Sequence, residues 1–168
     1  AVLGGSVMTA RCGALDDDFE VARGWARDPD GTDSATTATS GRWSRANPAS
    51  TSSSGAKQLG TVTSGSKALV TGAPAGDRAT AYDLDGRTTV RSTPFTLATG
   101  SGQRLTFRYV FAHRASSSAD DTFRAIVEDA AGTQTTVFTV VGKPVDVDGA
   151  WRSASASRSS SRASRARG

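Results

Sequence analysis

Residues 103–114, QRLTFRYVFAHR, alternate strictly: Leu105, Phe107, Tyr109, Phe111 and His113 fall on one side, with Thr106, Arg108, Val110, Ala112 and Arg114 on the other. A period of two belongs to an extended strand, because a helix would spread the same residues around its circumference. One face carries four large apolar side chains, each contributing about 1.5–3 kcal/mol when fully covered. The pattern predicts a strand set centrally in a sheet, with a second layer packed over its aromatic face.

The next stretch of chain has the same character. A loop, ASSSAD, leads into DTFRAIVED, a turn AAGTQ and then TTVFTVV, which reads as consecutive antiparallel strands of a meander. Shorter β-type runs are expected at 58–62, 67–71, 79–82 and 88–97, with Pro94 marking an edge or bulge in the last. No window sustains a helical period. Ser, Thr and Gly supply 22, 21 and 18 residues, while Leu, Ile, Val and Phe together supply only 27. That balance favours short strands joined by many turns over long helices. The fold class expected is all-β, a two-sheet antiparallel β-sandwich.

Residues 1–15 read as a linker inside a longer precursor, and 16–152 as the sandwich domain. From Ser153 the chain runs SASASRSSSRASRARG, with nothing apolar larger than Ala, and is expected to be a disordered Arg/Ser-rich tail over 153–168. Five arginines follow Trp151 (Arg152, Arg158, Arg162, Arg165 and Arg167), and without them 15 bases face 16 acids. The net charge of +4 therefore belongs to the tail. No basic face on the folded part and no nucleic-acid partner are expected. No run of about 18 apolar residues is present, so no membrane span is expected. Cys12, the single cysteine, permits neither an intrachain disulfide nor a cysteine-based zinc site.

Catalytic chemistry finds little to use. His113 is the sole histidine and lies in phase with the aromatic face, as a packed histidine would. Zincin-type and carboxypeptidase-type zinc sites need two histidines and a carboxylate. No Gly-x-Ser-x-Gly elbow occurs, and GTVTSGSK at 60–67 departs from a phosphate loop at the residue before its lysine. No catalytic residue is therefore assigned.

Carboxylates, in contrast, are grouped. Asp16, Asp17, Asp18 and Glu20 precede a strand, and Asp28, Asp30 and Asp33 follow it closely, which suits a calcium ion that takes six to eight oxygen ligands. Asp-x-Asp-Gly recurs at 28–31, 83–86 and 146–149. In the second and third copies the expectation is a turn in which Asp caps and Gly supplies positive φ. Trp25, Trp43 and Trp151 are candidates for a sugar-stacking platform or for the core.

The runs DDDFEVARGWARDPDGTDSATTATSGRWSRANPAST, GAKQLGTVTSG, LVTG, AYDLDGRTTVRSTPFTL and LTFRYVFAHRASSSADDTFR occur in order over about residues 16–151. This succession resembles the C-terminal jelly-roll or MAM-like accessory module of secreted bacterial zinc carboxypeptidases. The resemblance implies a sandwich with an extracellular address, no catalytic residues of its own, and a peptidase domain upstream in the parent chain. It also implies a structural calcium near the first strand, held by Asp17, Asp18, Glu20 and Asp33. Beyond DVDGAWRSAS the family pattern continues through further strands, whereas this chain reads SRSSSRASRARG. A sandwich lacking its final strands, from a product truncated or frameshifted after about residue 155, is the expectation. The function expected is a non-catalytic accessory module that targets a peptidase to a protein or glycan surface. The alternative is a carbohydrate-binding module that uses Trp25 or Trp43.

Overall fold

The aromatic strand forms the spine of the largest sheet. The computed structural model describes residues 6–7, 15–34, 41–74, 86–97 and 102–157. In these segments the strands are β1 (Ser6–Val7), β2 (Ala26–Arg27), β3 (Trp43–Ala46), β4 (Ser50–Ser52), β5 (Ala56–Leu59), β6 (Ala68–Thr71), β7 (Val90–Arg91), β8 (Arg104–Tyr109), β9 (Thr122–Glu128), β10 (Gln134–Val141) and β11 (Arg152–Ser157). Five make one sheet in the order β11-β8-β1-β6-β3, and the others pair as β10-β9, β2-β7 and β4-β5. Every pairing is antiparallel. The fold is all-β and matches a β-sandwich.

β8 lies inside its sheet with its aromatic face covered, as the alternation predicts. The hairpin β9-β10 supplies the second layer. Phe138 meets both Phe107 and Tyr109 at 5.1 Å between ring centroids, and Phe123 meets the same two rings at 6.1 and 5.9 Å. Most of these pairs are edge-to-face, the arrangement that ring quadrupoles favour. Inward residues of the hairpin, Phe123, Ala125, Phe138 and Val140, pack on Phe107, Tyr109, Phe111 and Ala154. Phe123 also touches the second cluster, built on Phe19, Trp43, Ala68 and Leu69, and so joins the two halves of the core.

Regular pairing of the aromatic strand stops earlier than expected. β8 ends at Tyr109, after which Val110, Phe111, Ala112 and His113 are all buried. Both sides of the chain are covered there, and His113 makes an isolated bridge to Val147, through His113 N to Val147 O at 3.1 Å and Val147 N to His113 O at 2.9 Å.

Two expected boundaries need correction. Ser153 does not begin a disordered tail: residues 152–157 form β11, paired in continuous register with β8 from Arg152↔Tyr109 to Ser157↔Arg104. A strand of Ser and Ala suffices because the aromatic side chains of β8 and the hairpin fill the layer. Ala154, opposite Phe107, is buried with nothing but a methyl group, and the alternating serines face outward. The supposed linker also contributes, since Ser6–Val7 pair with both β6 and β8. The tail beyond Ser157, Cys12 and the run at 79–82 lie outside the described residues.

Of the shorter runs, 67–71 appears as β6, with all four of its residues buried. The run at 88–97 pairs only at Val90–Arg91, against Ala26–Arg27. Among the described residues no helix is long and apolar enough to cross a membrane.

Candidate ligand-binding site

Asp17 organises the surface beside β2 and β3. Its carboxylate is buried, with Oδ1 accepting the Phe19 N–H at 2.8 Å and Oδ2 accepting Trp25 Nε1–H at 2.8 Å. The first bond caps a residue in an unusual state, for Phe19 has φ of 65° while its ring is fully buried. A bulky side chain in the left-handed region costs on the order of 1–2 kcal/mol, which persists only where the surroundings over-determine it. Here the carboxylate cap on one side and burial of the ring on the other do so. The second bond fixes the indole of Trp25, whose ring lies 5.5 Å from that of Phe19.

Around this arrangement opens a cleft of about 350 Å³, lined by Phe19, Trp25, Trp43, Leu69 and Val90 together with Arg23, Arg27 and Arg45 and the smaller Ala22, Gly24 and Ser44. That size falls at the lower end of small-ligand sites. β2 and β7 form one wall and β3 and β6 the other. Trp43 belongs mainly to the core: it is buried, its Nε1–H donates to Thr88 O at 3.2 Å, and its ring packs on Phe123. Trp25 is only half-buried and presents the more accessible indole. The structure thus brings the two candidate tryptophans to one cavity, in unequal roles. Trp151 packs against the core and is not among the residues lining the cleft.

The three arginines differ in what holds them. Arg23 Nε lies 3.5 Å from Asp17 Oδ1. Arg45 donates from Nη1 to the carbonyls of Phe19 at 2.9 Å and Glu20 at 3.2 Å, which are neutral acceptors. Arg27 is exposed, and among the described residues its guanidinium has neither a hydrogen bond nor an ion pair. The overall charge balance gave no sign of this grouping, because a count over the whole chain carries no positions.

The four expected calcium ligands are each engaged by protein donors. Besides Asp17, Asp18 Oδ1 accepts the Glu20 N–H at 3.0 Å. Glu20 Oε1 accepts the N–H groups of Ser66 and Lys67 at 2.7 and 2.6 Å, and Oε2 accepts Ser66 Oγ–H at 3.3 Å. The Ser66 and Lys67 N–H groups hold the Glu20 carboxyl below its ordinary range. Asp33 takes both donors of Thr89, its N–H at 3.0 Å and its hydroxyl at 2.7 Å, which ties the 28–33 turn to the start of β7. Among the described residues no three His, Cys, Asp or Glu side chains gather where they could hold a metal ion.

The last Asp-x-Asp-Gly works differently from a simple capped turn. Lys57 of β5 is fully buried, and its Nζ donates to Asp148 Oδ1 at 2.9 Å, Val147 O at 3.3 Å and Ser54 O at 3.4 Å, with Asp146 Oδ1 at 3.9 Å. Gly149 is not there for positive φ. A Cβ at that position would stand 2.6 Å from Lys57 O, so the glycine allows the two backbones to approach. Nothing in the local sequence of Lys57 marks it as buried; only the paired carboxylates at 146 and 148 hint at a cation nearby. His113 is likewise buried, with Nδ1 3.1 Å from Arg114 O and its ring edge-on to Phe111, and it does not line the cleft.

No family model matches the chain, and neither a curated protein nor a solved structure does.

Proposed function

We propose that this chain is a non-catalytic accessory module of a secreted zinc carboxypeptidase, and that it holds a glycan ligand in the Trp25–Trp43 cleft. The cleft itself carries the reading: two indoles, an apolar floor and three guanidiniums converge on one cavity of ligand size. Its lining offers binding chemistry rather than a reaction. Among the described residues Ser44 is the only hydroxyl lining it, with its Oγ 3.3 Å from Val70 O as a donor to that carbonyl, and none of the lining residues is an imidazole or a carboxylate. Trp25, locked by Asp17 and half-exposed, provides the flat apolar face on which a pyranose ring stacks. The link to a peptidase and the extracellular address rest on the sequence resemblance.

Two measurements test the proposal. Affinity electrophoresis of the full chain through gels cast with polysaccharides should show retardation in at least one of them, and Trp25→Ala should abolish it. Unchanged mobility in every gel would remove the glycan reading. Zinc-dependent release of a C-terminal residue from a peptide by the purified chain would overturn its non-catalytic character.

A further inference from the structure

Accepting the cleft as a glycan site, we infer that its ligand is an acidic saccharide, recognised through the carboxylate of a uronic acid. The charge pattern is the ground for this. Three arginines and, among the described residues, no acidic side chain line the cleft. Where the protein does neutralise a cation, the carboxylate stands close: Arg91 Nη2 lies 2.7 Å from Asp30 and 2.9 Å from Glu128, and Lys57 Nζ lies 2.9 Å from Asp148. Among the described residues of the cleft only Arg23 has such a neighbour, the buried Asp17, whose oxygens also accept from Phe19 and Trp25.

Among the described residues, Arg45 and Arg27 therefore have no carboxylate at ion-pair distance. The two carbonyls on Arg45 hold its guanidinium in place without neutralising it, and the carboxylate of Glu20, whose carbonyl is one of the two, is turned to the Ser66 and Lys67 N–H groups. A guanidinium already positioned by neutral acceptors and with donors to spare is suited to a planar carboxylate, which it can meet with two parallel hydrogen bonds. The indole of Trp25 lies in the same cavity, so one ligand can place its ring on the aromatic face and its carboxylate toward the guanidiniums. A uronate unit combines these two features in one sugar. Because Arg45 and Trp25 are held before any ligand arrives, little ordering is required on binding.

The test is affinity electrophoresis of the full chain in gels containing polygalacturonate, its methyl ester, a neutral glucan or dextran sulfate. The expected result is retardation by polygalacturonate, little by the ester, and an affinity roughly tenfold lower in Arg27→Gln, the loss of one charge-assisted contact. Arg27 is exposed and without a partner among the described residues, so this variant should melt with the wild type. Equal retardation by polygalacturonate and its methyl ester, abolished by Trp25→Ala, would overturn the acidic ligand while leaving a glycan site. Retardation by dextran sulfate as strong as by polygalacturonate would overturn the uronate in favour of charge alone. Binding to polygalacturonate that is unaltered in both Arg27→Gln and Arg45→Gln would move the attraction away from the cleft and overturn the inference. Tighter binding of a peptide with a free C-terminal carboxylate, competing with polygalacturonate, would assign the arginines to a protein ligand instead. Absence of retardation in every gel would remove the glycan reading together with this one.

Discussion

The ammonium of Lys57 is fully buried and faces two carboxylates and two carbonyls, whereas the guanidiniums of Arg27 and Arg45 are exposed and, among the described residues, meet no carboxylate at ion-pair distance. Both places gather positive charge at the junction of small sheets. They differ in whether the protein supplies the counter-charge. Around Lys57 it does, and the charge holds the 146–149 turn to β5. For Arg27 and Arg45 it does not, among the described residues, and their charge stays available to something else. Removing a satisfied cation should therefore cost stability, while removing an unsatisfied one should cost binding.

The largest effect is expected at Lys57. Lys57→Ala leaves the Ser54 and Val147 carbonyls without their donor and opens a void where the aliphatic stem lay, which together should destabilise by about 3 kcal/mol. Chemical denaturation measures it. Asp146 and Asp148 are substantially exposed and return to water, so the loss should stay below that of a pair buried on both sides. A loss under about 0.5 kcal/mol would break the contrast, by making Lys57 as dispensable as a surface residue.

Next comes Asp17, which belongs to both sides of the comparison, as a structural acceptor and as the anchor of the cleft. Asp17→Ala strips the acceptor from a buried N–H and from Trp25 Nε1–H, and should cost about 2 kcal/mol. Asp17→Asn keeps an acceptor and should recover part of that stability. Tryptophan fluorescence would sharpen the result, since freeing the indole of Trp25 should change its emission more in the Ala variant than in the Asn variant.

This contrast also explains what was legible beforehand. The 105–141 region could be read because large aromatic residues at period two leave few alternatives, and Phe107, Phe123 and Phe138 are indeed the middle of the core. β11 could not, because Ser and Ala at period two look the same in a strand and in a flexible tail; the difference lies in the edge that β8 offers. β3 was hidden in a turn-rich stretch, although its Trp43 was already a candidate for the core. In the site, Trp25 and Trp43 stood out by residue type. The arginines did not, since Arg23, Arg27 and Arg45 meet only after β2 and β3 have been placed, and Lys57 is an ordinary lysine until the 146–149 turn closes over it.

A smaller, pH-dependent effect should mark Glu20, the acid that stands near Arg45 without neutralising it. Its folded pKa lies below the ordinary 4.5 because the Ser66 and Lys67 N–H groups favour the carboxylate. A carboxyl with a depressed folded pKa stabilises the protein above its unfolded value, and this contribution disappears as the pH falls through the folded value. Melting temperature followed from pH 7 downward should therefore drop more steeply below about pH 4.5 in the wild type than in Glu20→Gln, and the variant should be the less stable at pH 7. Parallel curves would show that the carboxylate is not held as described, and would return Glu20 to the groups able to compensate Arg45.

The smallest effect concerns calcium at Asp17, Asp18, Glu20 and Asp33. A cation binding there would compete for carboxylate oxygens that already accept N–H and O–H donors from Phe19, Trp25, Ser66, Lys67 and Thr89, as well as the Glu20 N–H on Asp18. Displacing those donors would leave backbone N–H groups unpaired, each at a cost of about 1–3 kcal/mol where it is buried. Millimolar calcium should then leave the melting temperature where a chelator leaves it. A ligand at 100 times its Kd stabilises a folded state by about 2.7 kcal/mol, an effect easily seen on a domain of this size. A calcium-dependent rise would show that the carboxylates can exchange their internal donors for an ion. Because Asp17 and Glu20 flank Trp25 and Arg45, that ion would also add positive charge beside the cleft, and calcium should then tighten the binding of polygalacturonate. A rise in melting temperature without tighter binding would instead place the ion away from the cleft, leaving its arginines as the charge the ligand reads.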